Sequence, residues 1–368
     1  MSQRITFVGL DVHKDSISIA LADSGRDEDV RYYGKIGGDI ESLLKTVRKL
    51  QSSGATLRFV YEAGPCGYEI FRSLTKQGFD CIVVAPSLIP KKSGDRIKND
   101  RRDALSLARL HRAGELKAVY VPTEEDEAMR DLTRTREDAV KALRVSRQVL
   151  LAFLLRLGYR YSGRSHWSQA HFNWIADIKM PHRAQQIALQ EYVHSVKENV
   201  ERVDRLTKQV QELSLSWKHA PMVKALQALR GVSLIVAVTT ISEVGDLTRF
   251  DSPKQFMAYL GLVPSLHASG PTAKYGGITK TGNGHVRKVL TEAAHAYSLP
   301  ARESRVLLAR LEGLPQEVRN IAWKAQVRLC TRFKRLQARG KNRNSVVTAT
   351  ARELAGFMWA IACAMLPS

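Results

Sequence analysis

"RITFVGLDVHKDSISIALA", residues 4–22, is the stretch on which the fold turns. Its first half is an apolar, β-branched-rich run that breaks at the polar His13, Lys14 and Asp15. Residues 16–22 then alternate apolar and small side chains with period two. A strand, a short break and a second strand make a hairpin. Asp11 falls where the first strand ends, which puts an acid at the rim of a sheet.

Working outward, "VRYYGKI" (30–36) predicts a third strand, and Ile40, Leu43, Leu44, Val47 and Leu50 recur at helical spacing up to the stop at Gly54. "LRFVYEAG" (57–64) predicts a fourth strand, "GYEIFRSLTKQG" (67–78) a short helix closed by Gly78, and "CIVVAP" (81–86) a fifth strand. A basic loop, "SLIPKKSGDRIKN" (87–99), leads into a helix that opens with Asp100 and Asp103. Three strands in a meander followed by helix, strand, helix, strand, helix is the element order of an α/β ribonuclease H-like domain, expected over residues 1–120.

Composition narrows the partners. The chain of 368 residues carries 57 Lys and Arg against 36 Asp and Glu, a net charge of +21, so its field attracts polyanions and nucleic acid is the expected partner. Four scattered cysteines without a C-x-x-C pair argue against a zinc ribbon or a disulfide scaffold. No uninterrupted apolar run reaches the roughly 18–20 residues of a membrane span, and the opening residues lack a signal peptide's apolar core. The expectation is a cytoplasmic, nucleoid-associated protein with no membrane partner.

Past residue 120 the pattern changes. Long charged helical stretches bracket an aromatic, histidine-bearing connector, "YRYSGRSHWSQAHFNWI" (159–175). Val193, Val196, Val200, Val203, Leu206, Val210 and Leu213 recur every three or four residues, an apolar seam suited to a helical hairpin or coiled coil. Residues 121–218 therefore read as a coiled-coil arm that dimerises, binds nucleic acid, or both. Residues 219–300 read as a mostly α second domain. In it Ser252, Pro253, Gln255 and Gly261 mark one helix's start and stop, the glycine-rich "SGPTAKYGGITKTGNG" (269–284) reads as flexible, and a helix follows from about Asn283. Residues 301–368 read as a basic helical tail with a nucleic-acid or packing role.

Four acids fall at three converging places of such a sheet: Asp11 at the end of the first strand, Glu62 at the end of the fourth, and Asp100 and Asp103 in the last helix. Like charges at ~4 Å repel by about 4 kcal/mol at an effective dielectric of 20, so the set needs a counter-charge. Mg²⁺ or Mn²⁺, which takes carboxylate and phosphate oxygens, is the expected one. Taken singly, Asp11 could instead pair with Lys14, Asp100 could cap its helix, and Glu62 could be a solvated strand end.

"GLDVHK" with Asp11, "YEAGPCGYEIFRSL" with Glu62 and "KNDRRDA" with Asp100 and Asp103 resemble the DEDD transposases of the insertion-sequence 110-type family, whose first domain is RuvC-like. The segment "LGLVPSLHASGPTAKYGGITKTGNGHVRKVLTEAAHA" resembles that family's C-terminal transposase domain. Taken alone, Ser269 is a turn serine before Gly270. The resemblance makes it the nucleophile that attacks a phosphodiester, with metal held by the four acids as its activator. That requires the two halves to meet, within one chain or between protomers. The resemblance further implies a mobile-element recombinase on donor and target DNA, a dimer or tetramer, and a structured non-coding RNA guide that no residue here reveals.

Lys280, Asn283, Arg287 and Lys288 surround a predicted helix N-terminus suited to phosphate, and Lys91, Lys92, Arg96, Lys98, Arg101 and Arg102 form a basic run beside the acids. Two residues depart from the family pattern. Ser233 stands for the second glycine of the helix-hairpin-helix-like turn "ALRGVSLIVAV", and Asn99 stands where threonine is common. The alternatives are a metal-dependent nuclease or junction resolvase in which water attacks, and an architectural binder without catalysis.

Overall fold

The computed structural model describes residues 4–25, 29–52, 54–90, 99–269 and 272–366. The chain divides into two compact units, Met1–Val121 and Pro122–Ser368.

The first unit is a mixed α/β domain. Its elements are β1 (Ile5–Val12), β2 (Ser16–Asp23), β3 (Arg31–Gly37), α1 (Ile40–Gln51), β4 (Thr56–Glu62), α2 (Glu69–Lys76), β5 (Asp80–Val84) and α3 (Asp100–Arg112). The five-stranded sheet has the order β3-β2-β1-β4-β5. β1 and β3 each pair antiparallel with β2, whereas β4 pairs parallel with β1 and β5. Alternation divides the sheet's two faces. Val8, Leu10, Ile17, Ile19, Phe59, Tyr61 and Val83 form one core with Leu43 and Val47 of α1 and Ile70 and Leu74 of α2. On the other face Ala20 and Ala22 meet Ala104 and Ala108 of α3, and Val60 and Val84 meet Leu107. The small residues on that face let α3 lie close against the sheet.

The second unit is mostly helical: α4 (Glu124–Arg156), α5 (Gln169–Ala176), α6 (Arg183–Ser216), α7 (Ala220–Leu226), α8 (Leu234–Val244), α9 (Pro253–Tyr259), β6 (Pro264–Ser269), β7 (Thr272–Ile278), α10 (Gly284–Ala294), α11 (Arg305–Leu311), α12 (Gln316–Ala338) and α13 (Arg343–Ala364). α4 and α6 form an antiparallel hairpin, since Arg136 donates to Thr207 while Phe153 packs on Tyr192. The predicted seam holds through most of its length: Val193, Val196, Val200 and Val203 pack with Leu143, Leu150 and Leu154, and Val210 joins the core below. Leu213 lies off it, 49% exposed.

One core runs through α7–α10, α12 and α13, so no core boundary falls at residue 300. The basic run that suggested a separate tail is the outer face of α12, whose inner face buries Val318, Ala322, Leu329 and Phe333. α13 meets the length and hydropathy of a membrane-crossing helix, but half of that window is buried in this core, where its apolar side chains pack. The glycine-rich segment is also more regular than expected. β6 and β7 pair antiparallel from Pro264↔Ile278 to Ser269↔Thr272. Gly276 and Gly277 obscured the period-two pattern of that hairpin.

Candidate active site

The first-unit site is assembled by three features of strand and helix geometry. β1 turns Val8 and Leu10 into the α1–α2 core, so Gly9 and Asp11 face the α3 side. The parallel pairing of β1 and β4 extends to Leu10↔Tyr61, which sets the next residues, Asp11 and Glu62, side by side at the end of both strands. α3 runs antiparallel to β1: the Phe7 and His111 rings pack edge to face at 5.2 Å, and Gly9 lies beneath Ala104 and Ala108. Its N-terminus, with Asp100 and Asp103, therefore arrives at Asp11.

Asn99, not Asp100, caps α3, with its Oδ1 accepting from the Arg102 N–H at 2.9 Å. Asparagine caps a helix as well as threonine does, and the Asp100 carboxylate is left for other partners. His13 Nε2 lies 3.1 Å from Asp11 Oδ2 and 3.4 Å from Asp100 Oδ1. Lys35 Nζ donates to Asp100 Oδ2 at 3.1 Å. The sheet explains Lys35's presence, because Asp11, Ser18 and Lys35 stand in register across β1, β2 and β3.

Potential ligand atoms of Asp11, His13 and Asp100 all lie within 4.8 Å of one another, and among the described residues this trio is the one such group. Glu62 and Asp103 stand at the same sheet edge but outside it. Burial raises the Asp11 carboxyl above the ordinary carboxylate range; His13 opposes this, while Asp103 and Asp100 add to it. The Asp100 carboxyl is lowered, chiefly by the Lys35 hydrogen bond. A carboxylate pressed by burial and by two neighbouring acids is a place where a divalent cation relieves charge. Two carboxylates and an imidazole within reach of one point fit such an ion, with the acids favouring a hard one. His13 and Lys35 were not among the expected site residues.

The basic run beside the acids is placed in part. Arg101 lies over the Tyr32 ring, 5.2 Å from its centroid, and Arg102 is exposed. Lys91, Lys92, Arg96 and Lys98 lie outside the described residues.

In the second unit, Ser269 is the last residue of β6, paired with Thr272 across the hairpin. The neighbouring basic and polar residues are engaged internally. Asn283 caps α10 by accepting from the Val286 N–H at 3.0 Å and donates to Glu243 Oε2 at 2.6 Å. Arg287 donates to the carbonyls of Leu260, Thr281 and Gly282. Lys288 donates to Glu137 Oε1 at 3.1 Å, and His285 Nδ1 contacts the other oxygen of Glu137. Burial alone would raise the Glu137 carboxyl, but His285 and Lys288 outweigh it and hold it down to about 2. Arg134 grips Glu243 with two parallel hydrogen bonds of 2.7 and 2.9 Å. These contacts dock α10 on α4 and α8. Lys280, by contrast, is exposed, with φ of 57°.

Comparison with known proteins matches both units. Residues 8–158 fit the transposase model of the IS110-type DEDD group, and residues 223–306 fit the model described as transposase IS116/IS110/IS902 family. The y4qE protein of Sinorhizobium fredii is 49% identical over 359 residues, covering 98% of this chain and 89% of that one. The transposase for insertion sequence element IS1533 of Leptospira borgpetersenii is 31% identical over 348 residues, covering 92% and 99%. The chain belongs to the IS110-type DEDD transposases. As a DNA transposase it is an enzyme whose partner is DNA, and its family implies a divalent metal. The transposase for insertion sequence element IS1111A of Coxiella burnetii is more distant, at 25% identity over 302 residues, 79% of this chain and 78% of that one.

Proposed function

We propose that this transposase cuts and rejoins DNA by transesterification, with Ser269 as nucleophile and Mg²⁺ or Mn²⁺ held by Asp11, Glu62, Asp100 and Asp103 of a RuvC-like, ribonuclease H-like domain. The observation that carries the reading is the meeting of Asp11, His13 and Asp100 at the sheet edge, beside Glu62 and Asp103. The strand order, with two antiparallel neighbours and then two parallel ones, supports the ribonuclease H-like assignment. When bound, the ion supplies charge neutralisation to the phosphate and to the attacking hydroxyl. The Ser269 hydroxyl gives up its proton and forms an O–P bond to the scissile phosphate. The bond from phosphorus to the leaving strand's oxygen breaks, and that oxygen takes up a proton. A second exchange at the same phosphorus returns the serine and joins the new strand.

On this reading the element's own structured RNA selects donor and target by base pairing, the α4–α6 hairpin serves as a coiled-coil arm for a dimer or tetramer, and the enzyme works in the bacterial cytoplasm on nucleoid DNA. Lys280 and the basic run at residues 91–102 supply sequence-independent phosphate contacts.

The test incubates purified protein with flank-derived RNA, donor and target DNA and Mg²⁺. The expected result is joined product together with a denaturation-resistant protein–DNA band that Ser269→Ala abolishes. Cleavage that persists in Ser269→Ala without any such band would instead make this a nuclease in which water attacks.

A further inference from the structure

Among the described residues, the distal end of the α4–α6 hairpin carries cations that take part in no ion pair. Between residues 142 and 190 the chain has seven Lys and Arg against one acid, Asp177. Arg156, Arg160, Arg164, Lys179 and Arg183 are exposed where α4 ends and α6 begins. Among the described residues, the ion pairs nearest to them along the hairpin are those of Lys141 with Glu137 and Asp138 on α4 and of His194 with Glu198 on α6. None of the five cations takes part in one. The middle of α6 differs: residues 191–212 carry five acids and four bases, the mixed surface of a solvated helix.

The segment bearing these cations is braced. Tyr161, Trp167, His171 and Trp174 form a ring cluster, and the Trp167 N–H donates to His171 Nδ1 at 3.1 Å. Arg147 reaches up from α4 over the Trp167 ring, 5.0 Å from its centroid. A fixed platform that gathers like charges carries a repulsion which salt screens but a polyanion removes. Glu137, which ties α4 to α10, lies nineteen residues before Arg156, so the platform stands roughly 30 Å farther along the helix at 1.5 Å per residue.

We infer that the arm tip binds the phosphate backbone of a nucleic-acid duplex, a sequence-independent contact well outside the α10 region. A two-fold related copy of the tip would set seven more Lys and Arg, with one acid, against this surface. Exposed Leu155 and Ile187 nearby, with Val145 and Val149 farther down α4, are too few and too scattered to make the tip a membrane-seeking face. DNA and RNA duplexes share the backbone chemistry, and the experiment separates them. It needs no catalysis, so it stands or falls apart from the Ser269 reading.

The test measures full-length protein by fluorescence anisotropy on 30-base-pair DNA and RNA duplexes between 50 and 200 mM salt. Arg156→Glu/Arg160→Glu/Arg164→Glu is expected to lower the salt slope by about one per lost phosphate contact, so by about three, and to weaken binding at least ten-fold for unrelated sequences alike. The milder Arg→Gln set should move both quantities in the same direction, and it decides the matter if the reversal fails to fold by circular dichroism. A loss on one duplex or on both supports the inference and names the nucleic acid concerned. An unchanged slope overturns it. So does an equal loss from reversing Lys45, Arg48 and Lys49 on α1, which would make the effect one of bulk charge. Unaltered duplex binding accompanied by lost association with phosphatidylserine vesicles, or by a changed mass in light scattering, would reassign the tip and overturn it as well.

Discussion

Gly9 lies so close beneath Ala104 that a β-carbon at position 9 would come within 2.4 Å of the Ala104 carbonyl oxygen, and within 2.5 Å of the Ala108 nitrogen. Both are backbone atoms that no rotamer change can move aside. This contact fixes how closely α3 approaches β1, and thereby where Asp100 and Asp103 stand relative to Asp11. Gly9→Ala is expected to lift the helix, costing about 1–3 kcal/mol as overpacking does. Divalent-cation affinity should fall with stability, read by thermal melts with and without Mn²⁺. A variant that melts like the parent and binds metal unchanged would show that this contact does not set the site.

The metal-free site works against its own fold. The Asp11 carboxyl is raised above its unfolded value, so the folded chain holds that proton more tightly than the unfolded one. The associated stability is present at low pH and is lost as pH rises through the raised value. Asp11→Asn is therefore expected to stabilise the metal-free protein near neutral pH by about 0.5–2 kcal/mol while abolishing metal-induced stabilisation and strand cleavage. Calorimetry with EDTA and then with Mn²⁺ checks both halves. An Asn variant less stable than the parent in EDTA would contradict the account.

Glu137 has the opposite sign. His285 and Lys288 hold its carboxyl down to about 2, below its unfolded value, so its contribution is present above the unfolded value and is lost as pH falls towards about 2. Discounted for solvent screening, the contribution is about 1–2 kcal/mol. Glu137→Gln should lower the melting temperature by several degrees at pH 7, and the difference should narrow as the pH falls from 5 to 2. A difference independent of pH would mean that packing, not the ion pairs, joins α4 to α10.

How much of this was readable from the sequence depends on the range over which each feature is set. The strands and α1–α3 declare themselves through local periodicity, and Asp11, Glu62, Asp100 and Asp103 fall at element ends that such a reading can find. His13 and Lys35 do not declare themselves. Lys35 reaches Asp100 because two antiparallel pairings place Asp11, Ser18 and Lys35 in one row, a register that only the assembled sheet fixes. His13 sits in the break between β1 and β2, where it reads as a turn residue. Arg287 and Lys288 read as phosphate contacts because their carbonyl and carboxylate partners, from Leu260 to Glu137, are remote in sequence. The one available hint was that α4 carries acids facing a basic helix.

Lys35 holds one of the carboxylates that an ion at Asp11, His13 and Asp100 would share. Its ammonium donates to Asp100 at 3.1 Å and lowers that carboxyl, so a divalent cation binding there must share the carboxylate with it. Replacing Lys35 by Met keeps the aliphatic stem and removes the competing charge. An exposed pair of this kind is weak and screened by salt, so Lys35→Met should bind Mn²⁺ roughly two- to five-fold more tightly at low salt, with the difference shrinking as salt rises. Strand cleavage should nevertheless fall, because a cation beside the acids also offers a phosphate contact. Titration calorimetry at two salt concentrations, beside a cleavage assay, tests the pair of outcomes. Weaker metal binding in Lys35→Met would mean that Lys35 holds Asp100 in position for the ion instead of competing with it.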